Sequence, residues 1–189
     1  LRNCVVTTYI VVVSLLLGAL TASAQNYPVR PLRIVTTAVG GGNDVISRMI
    51  ANAISGPLGQ AVIVDNRAAG VVPNETVAKS APDGYTMLLT GSGMWIGTLF
   101  QTMPYDPLRD FTPIIVVSEE PNMLVVPPSL PVKSAKELIA LAKAKPGELN
   151  YVSTSTGGSL HLAGELLKAM AGVNIVRVNY KGSATAIPD

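Results

Sequence analysis

The residues best suited to chemistry lie in three short segments rich in glycine and small polar residues: Val39–Asp44 (VGGGND), Thr90–Gly93 (TGSG) and Thr154–Ser159 (TSTGGS). Glycine lets the backbone turn sharply and approach a bound group closely. A helix that starts at such a corner presents N–H groups without intrahelical partners, at the positive end of its dipole. The chemistry on offer is capture of an anion by peptide amides. Any one segment alone reads as a tight turn; the reading as a site comes from three of them at matching positions.

Catalytic and metal alternatives find little support in the same residues. Gly40-Gly41-Gly42 does not fit the dinucleotide fingerprint, and no Gly-Lys-Ser/Thr follows it. Gly91-Ser92-Gly93 lacks the spacing of a nucleophile elbow. An exported serine hydrolase would have to use Ser92 or Ser155 with His161, the only histidine. His161 has Glu165 four residues on, but no third metal ligand is near. We read His161 as a first-turn residue that hydrogen-bonds the loop before it. Asp44 could act as a general base, but at a helix start it complements the dipole. Trp95 reads equally as a cleft wall or a core residue. Tyr180 and Lys181 are candidates for a cleft edge, Lys181 otherwise being a solvated charge.

The elements that must position these corners alternate. Strands are expected at 32–36, 61–64, 85–90, 150–154 and 174–178. Helices are expected at 44–54, ending at Gly56-Pro57, then at 74–80, 134–145 and 160–171. The strand at 61–64 is short and wholly apolar, as in a parallel sheet covered on both faces. The alternation of strands with helices specifies a doubly wound parallel α/β sheet, in which ligands bind beyond the carboxyl ends of the strands. Ser134 and Glu137 form a capping box, the Glu reaching back to the cap amide, and Lys143 and Lys145 suit the helix end. The apolar runs 114–117 and 123–126, broken by Glu119-Glu120-Pro121, mark the crossing between two lobes, 25–118 and 119–189. The second lobe holds only about half of an α/β unit set and is read as incomplete.

Composition sets the remaining bounds. The chain has 189 residues, 48% hydrophobic and 14% charged, with a net charge of +2 and no Lys/Arg run. That excludes disorder and gives no footprint for nucleic acid. Residues 1–24 read as a cleavable signal peptide: Arg2, an apolar stretch over 5–20, and Ala22-Ser23-Ala24 before a mature start at Gln25. The alternative is an uncleaved anchor. Cys4, the only cysteine, falls inside this segment, so the mature chain is expected to have no disulfide, no Cys-metal site and no Cys nucleophile. The expected location is the periplasm.

Several stretches resemble a known family: Tyr27–Val35, Gly41-Gly42-Asn43-Asp44, Ala81–Thr86, Pro104–Phe111, Lys136-Glu137-Leu138, Lys145–Tyr151, His161–Glu165 and Tyr180–Ser183. In order, and over essentially the whole mature chain, they look like the substrate-binding proteins of tripartite tricarboxylate transporters, the TctC or Bug family. The resemblance implies a periplasmic binding protein-like (type II) two-lobed flytrap. It implies a non-enzymatic, monomeric receptor without cofactor or metal, which hands a small carboxylate (organic acid, amino acid or aromatic acid) to membrane components of the transporter. It implies ligand contacts at Gly41, Gly42, Asp44 and Ser92 on the first lobe. On the second lobe it implies Ser155, Thr156, Gly158, Ser159 and His161. Departures are the loop Thr37–Gly40, shorter than in the family, and Ala68–Asn74, which lacks its Gly-Asn pattern. Family members also continue beyond Asp189, so a truncated, non-binding remnant is the alternative.

Overall fold

A computed structural model describes residues 27–67, 70–180 and 182–188. The expected signal segment, the start at Gln25, and Lys181 lie outside the described residues. The elements run β1 (Leu32–Thr36), α1 (Gly42–Leu58), β2 (Val62–Asn66), α2 (Val72–Ala78), β3 (Thr86–Leu88) and α3 (Gly93–Ile96), with a 3-10 turn at Gly97–Leu99. After a long extended stretch come α4 (Ala135–Ala144), β4 (Asn150–Ser153), α5 (Ser159–Ala171), β5 (Val176–Asn179) and α6 (Ser183–Ala186).

The first sheet is parallel, in the order β2-β1-β3. β1 is central because its side chains Leu32, Ile34 and Val35 are almost wholly buried, while both neighbours are only half-covered. Leu32 pairs with Val62, and Ile34 with Met87. This register brings the ends of β1 and β3 together, so the corners that follow them emerge side by side. The second sheet is the parallel pair β4-β5, with Ser153 opposite Asn179. Its core is Ala142, Val173 and Ile175, with Ile139, Leu149, Tyr151 and Leu167 packed around them. On α5, Gly164 lies so close to the Tyr151 ring that a Cβ there would overlap it, which is why the helix can sit tightly on β4.

The structure corrects several boundaries. Pro57 does not stop α1, which continues to Leu58. The helix stops instead at Gly59, in the left-handed conformation (φ 63°), whose N–H returns to the Gly56 carbonyl. Pro in a last turn can be carried when the chain leaves the helix two residues later. The helix α2 starts at Val72, two residues before its expected start, because Pro73 suits a first turn. The capping box at α4 forms with a shift. Ser134 Oγ accepts from Glu137 N–H at 3.2 Å, but Glu137 Oε2 accepts from Lys133 N–H at 2.7 Å rather than from the cap amide.

Three family-like stretches have architectural roles. Tyr27 OH donates to the Gly84 carbonyl at 2.7 Å, Arg30 pairs with Asp83 at 2.7 Å, and the Arg30 guanidinium lies over the Tyr85 ring at 4.1 Å. The segment leading into β1 is thereby tied to the turn before β3. In Pro104–Phe111, Tyr105 packs edge-on against Phe111 and Asp106 accepts from the amides of Leu108 and Arg109. The runs 114–117 and 123–126 are extended and exposed: Ile114, Ile115, Val116, Met123 and Val125 each show at least 74% of their surface. That much contiguous apolar surface on a connector is unusual.

Candidate functional site

The three glycine corners meet at one cavity of about 650 Å³, a volume within the usual range for small-molecule sites. From the first sheet it is lined by Gly41, Gly42, Asn43, Gly91, Ser92 and Gly93. From the second it is lined by Ser155, Thr156, Gly158, Ser159, Leu160 and His161, with Asn179 and Tyr180 beyond β5. The two walls also touch directly. The position of a Cβ on Gly93 would be 3.4 Å from Ser155 Oγ, and Phe100 lies edge-on to the His161 ring at 5.6 Å.

Both long helices that point at this cavity begin on glycine. Gly41 is the N-cap of α1 and Gly158 that of α5, each in an extended conformation, and neither helix receives a side-chain cap. Among the described residues, no protein acceptor pairs with the first-turn N–H groups of Gly42 and Asn43, or of Ser159 and Leu160. Such amides normally find a capping oxygen. Here they are left available at the positive ends of two dipoles.

Asp44 is the one expected contact residue absent from the lining. It is 3% exposed and turned inward. Its Oδ2 accepts from Gly40 N–H at 2.9 Å, its Oδ1 accepts from Asn66 Nδ2 at 2.8 Å, and Arg48 Nε lies 3.0 Å from Oδ1. The Gly40 amide, and after it Asn66 and Arg48, hold its carboxyl below the ordinary carboxylate value, against the opposing effect of burial. Asn66 also donates to the Thr37 carbonyl at 2.9 Å. The cluster closes the loop 37–44 from behind and fixes the angle at which Gly41 and Gly42 face the cavity.

His161 is buried, and its Nδ1 accepts from Gly157 N–H at 3.1 Å. Burial, and then the positive charge of Arg177, push its pKa down. The ring is therefore neutral, with its proton on Nε2. No serine hydroxyl hydrogen-bonds it among the described residues, so the Ser-His arrangement of a hydrolase is not assembled there. Glu165 is committed elsewhere: it accepts from Tyr151 OH at 2.7 Å and pairs with Lys168 at 2.9 Å. The Tyr151 bond, then Lys168, lower the Glu165 pKa, whereas burial and Glu165 push Tyr151 up to about 12. Among the described residues, no group of three acidic, His or Cys side chains is placed to hold a metal.

The sequence reading missed several lining residues. Asn74, behind the second corner, donates to Tyr105 OH at 2.9 Å, and that hydroxyl reaches the Met94 carbonyl at 3.3 Å. Glu120 brings a carboxylate to within 3.6 Å of where a Cβ on Gly42 would sit. Asn179 lines the second wall, and Arg177 stands behind it. Trp95 is 44% exposed and outside the lining, so it is neither core nor cleft wall.

Parallel α/β sheets whose helix-starting corners converge on one cavity are the architecture of periplasmic binding proteins. R. palustris Rpa4515, solved with adipate, superposes with a TM-score of 0.83 at 40% identity over 86% of this chain and 56% of that one. The periplasmic binding protein BugD gives 0.74 at 30% identity, over 86% and 56%. MatC of Rhodopseudomonas palustris, solved with bound malate, gives 0.77 at 26% identity, over 86% and 57%. The sequence model of the Tripartite tricarboxylate transporter family receptor matches residues 46–189, and the chain belongs to that family. Protein BugT of Bordetella pertussis is 40% identical over 173 residues, which are 88% of this chain and 53% of BugT. The chain thus spans about half the length of the curated relatives it matches. Among the described residues, no helix is long and apolar enough to cross a membrane.

Proposed function

We propose that this chain is the ligand-gripping part of a periplasmic receptor that captures a small carboxylate and delivers it to the membrane components of a tripartite transporter. The observation that carries the reading is the pair of uncapped, glycine-started helices, α1 and α5, opening from two sheets onto one cavity. Amides from Gly41–Asn43 on one side and Gly158–Leu160 on the other grip the carboxylate oxygens. The hydroxyls of Ser92, Ser155, Thr156 and Ser159 supply further donors, and His161 adds its Nε2 proton. Asp44 serves by bracing the first corner rather than by touching the guest. The lobes are 25–118 and 119–189. The adipate and malate held by the structural relatives support a guest of this class.

Calorimetry on the full-length gene product that carries these residues tests the reading. The panel comprises adipate, malate, tricarboxylates, aromatic acids and amino acids. Amino acids are included because Glu120 would suit an ammonium beside the amide-bound carboxylate. At least one acid is expected to bind saturably. At a hundredfold excess over Kd it should add about 2.7 kcal/mol of stability, seen as a raised Tm. Uniform silence in heat and in melting temperature would remove the proposal.

A further inference from the structure

Arg177 lies on β5, one side chain away from the cavity. Its Nε donates to Ser153 Oγ at 2.6 Å, and its Nη2 donates to Thr156 Oγ1 at 3.3 Å and to Asn179 Oδ1 at 3.2 Å. Ser153 is wholly buried, whereas Thr156 and Asn179 line the cavity. Arg177 and Asn179 are two apart on a strand and share a face. Opposite them, the register puts Tyr151 against Arg177 and Ser153 against Asn179. Among the described residues, no carboxylate lies within ion-pair distance of the guanidinium. A positive charge is thus held behind the second wall without an acidic partner.

A guanidinium has five donors and no acceptor. Every group it touches must turn an acceptor towards it. For Asn179 this fixes the amide: Oδ1 faces Arg177, and the two N–H donors are left over. For Thr156 the Oγ1 lone pair faces Arg177, and the hydroxyl hydrogen points elsewhere. Among the described residues, neither the Thr156 hydroxyl hydrogen nor the Asn179 Nδ2 has a protein acceptor.

We propose that Arg177 is the positioning residue that makes the second wall selective for anions: it occupies the acceptors of Ser153, Thr156 and Asn179, the Ser153 hydroxyl is spent on Asn179 Oδ1 at 3.5 Å, and the donors of Thr156 and Asn179 are left to the guest. Its charge polarises the Thr156 hydroxyl, because hydrogen bonds in series strengthen one another. Arg177 does not touch the guest. It works through Thr156 and Asn179, and its role differs from that of the amide corners. The inference rests on the carboxylate-receptor reading above.

The test compares the tightest acid of the calorimetric panel, adipate first, with its neutral primary amide, in the full-length protein. Arg177→Met removes charge and fork; Arg177→Lys keeps the charge and loses the fork. Hydrogen bonds to a charged donor set the scale. Arg177→Met is expected to weaken the acid by roughly 10- to 100-fold while the neutral amide changes by less than about threefold. Arg177→Lys should fall between wild type and Arg177→Met. Thr156→Val should cost affinity in the wild type and little in the Arg177→Met background. Equal losses for acid and amide would show a merely structural role and overturn the inference, as would unchanged acid binding. If Arg177→Met does not fold, the acid-to-amide ratio of Arg177→Lys decides by the same criterion. Binding of no acid at all by the wild type would remove the receptor reading and this inference with it, an outcome separate from the other two.

Discussion

Gly157→Ala is expected to produce the largest loss of ligand affinity of any single methyl added to this protein. Gly157 has φ +77°, and a Cβ there would lie 2.8 Å from Gly97 N, 2.9 Å from Gly97 Cα and 3.2 Å from the Ile96 carbonyl carbon. All three are backbone atoms, so no rotamer change relieves the overlap. The left-handed conformation itself costs alanine about 1–2 kcal/mol. Overpacking against a fixed neighbour adds roughly 1–3 kcal/mol. The cheapest relief is retreat of the loop 154–159 from the turn 97–99, and that loop carries one wall of the cavity. Its retreat also breaks the Gly157 N–H bond to His161 Nδ1. Affinity for the captured acid should fall by roughly 30-fold or more, measured by calorimetry beside a thermal melt. Binding within a factor of about two of wild type would show that the two backbones do not need this approach.

Asp44→Ala is expected to give the largest loss of stability near the site without removing a contact to the guest. The substitution strands the Gly40 amide and the Asn66 side-chain amide, both bonded to the carboxylate at 2.9 Å or less. Hydrogen bonds to a buried charge place the loss at about 2–3 kcal/mol. Arg48 adds little, since it is 52% exposed and keeps its water. The effect depends on pH in a defined direction. The folded carboxyl titrates below its ordinary value of 3.8, so its contribution is present above that value. It is lost as pH falls through the lower, folded value. In urea titrations, the gap between wild type and Asp44→Ala should be full at pH 7 and should close as pH falls below 3.8. A gap that stayed constant across this range would mean that the charge of Asp44 does not stabilise the corner.

Much of the scaffold could be read locally, and the reasons are physical. An apolar strand such as Leu32–Thr36 followed by glycine and a helical period is a short-range pattern. So is a Ser three residues ahead of a Glu. The corners were visible for the same reason, because glycine before a helix start is a statement about two or three peptides. What could not be read is who meets whom across the chain. Arg177 touches Ser153 24 residues earlier, and Asn74 touches Tyr105 31 residues later; no periodicity encodes either pairing. The hint for Arg177 was Arg-x-Asn on a short strand, which places both side chains on one face, but the Ser153 facing them depends on register. Asp44 shows the converse. Its type and place are legible, yet the direction of its carboxylate is set by the Gly40 amide and by Asn66 on β2. Pro57 sits inside the last turn of α1 rather than stopping it, because a proline's effect depends on how soon the helix ends after it.

The central claim is that peptide amides at two helix starts, α1 and α5, close on the same anion. Amide chemical shifts of the isotope-labelled, full-length protein, followed as the tightest acid is titrated in, test it most directly. Gly41, Gly42 and Asn43 should move together with Gly158, Ser159 and Leu160, saturating along one curve with the calorimetric Kd. Shifts confined to a single corner, or saturating binding that leaves both sets unmoved, would contradict it.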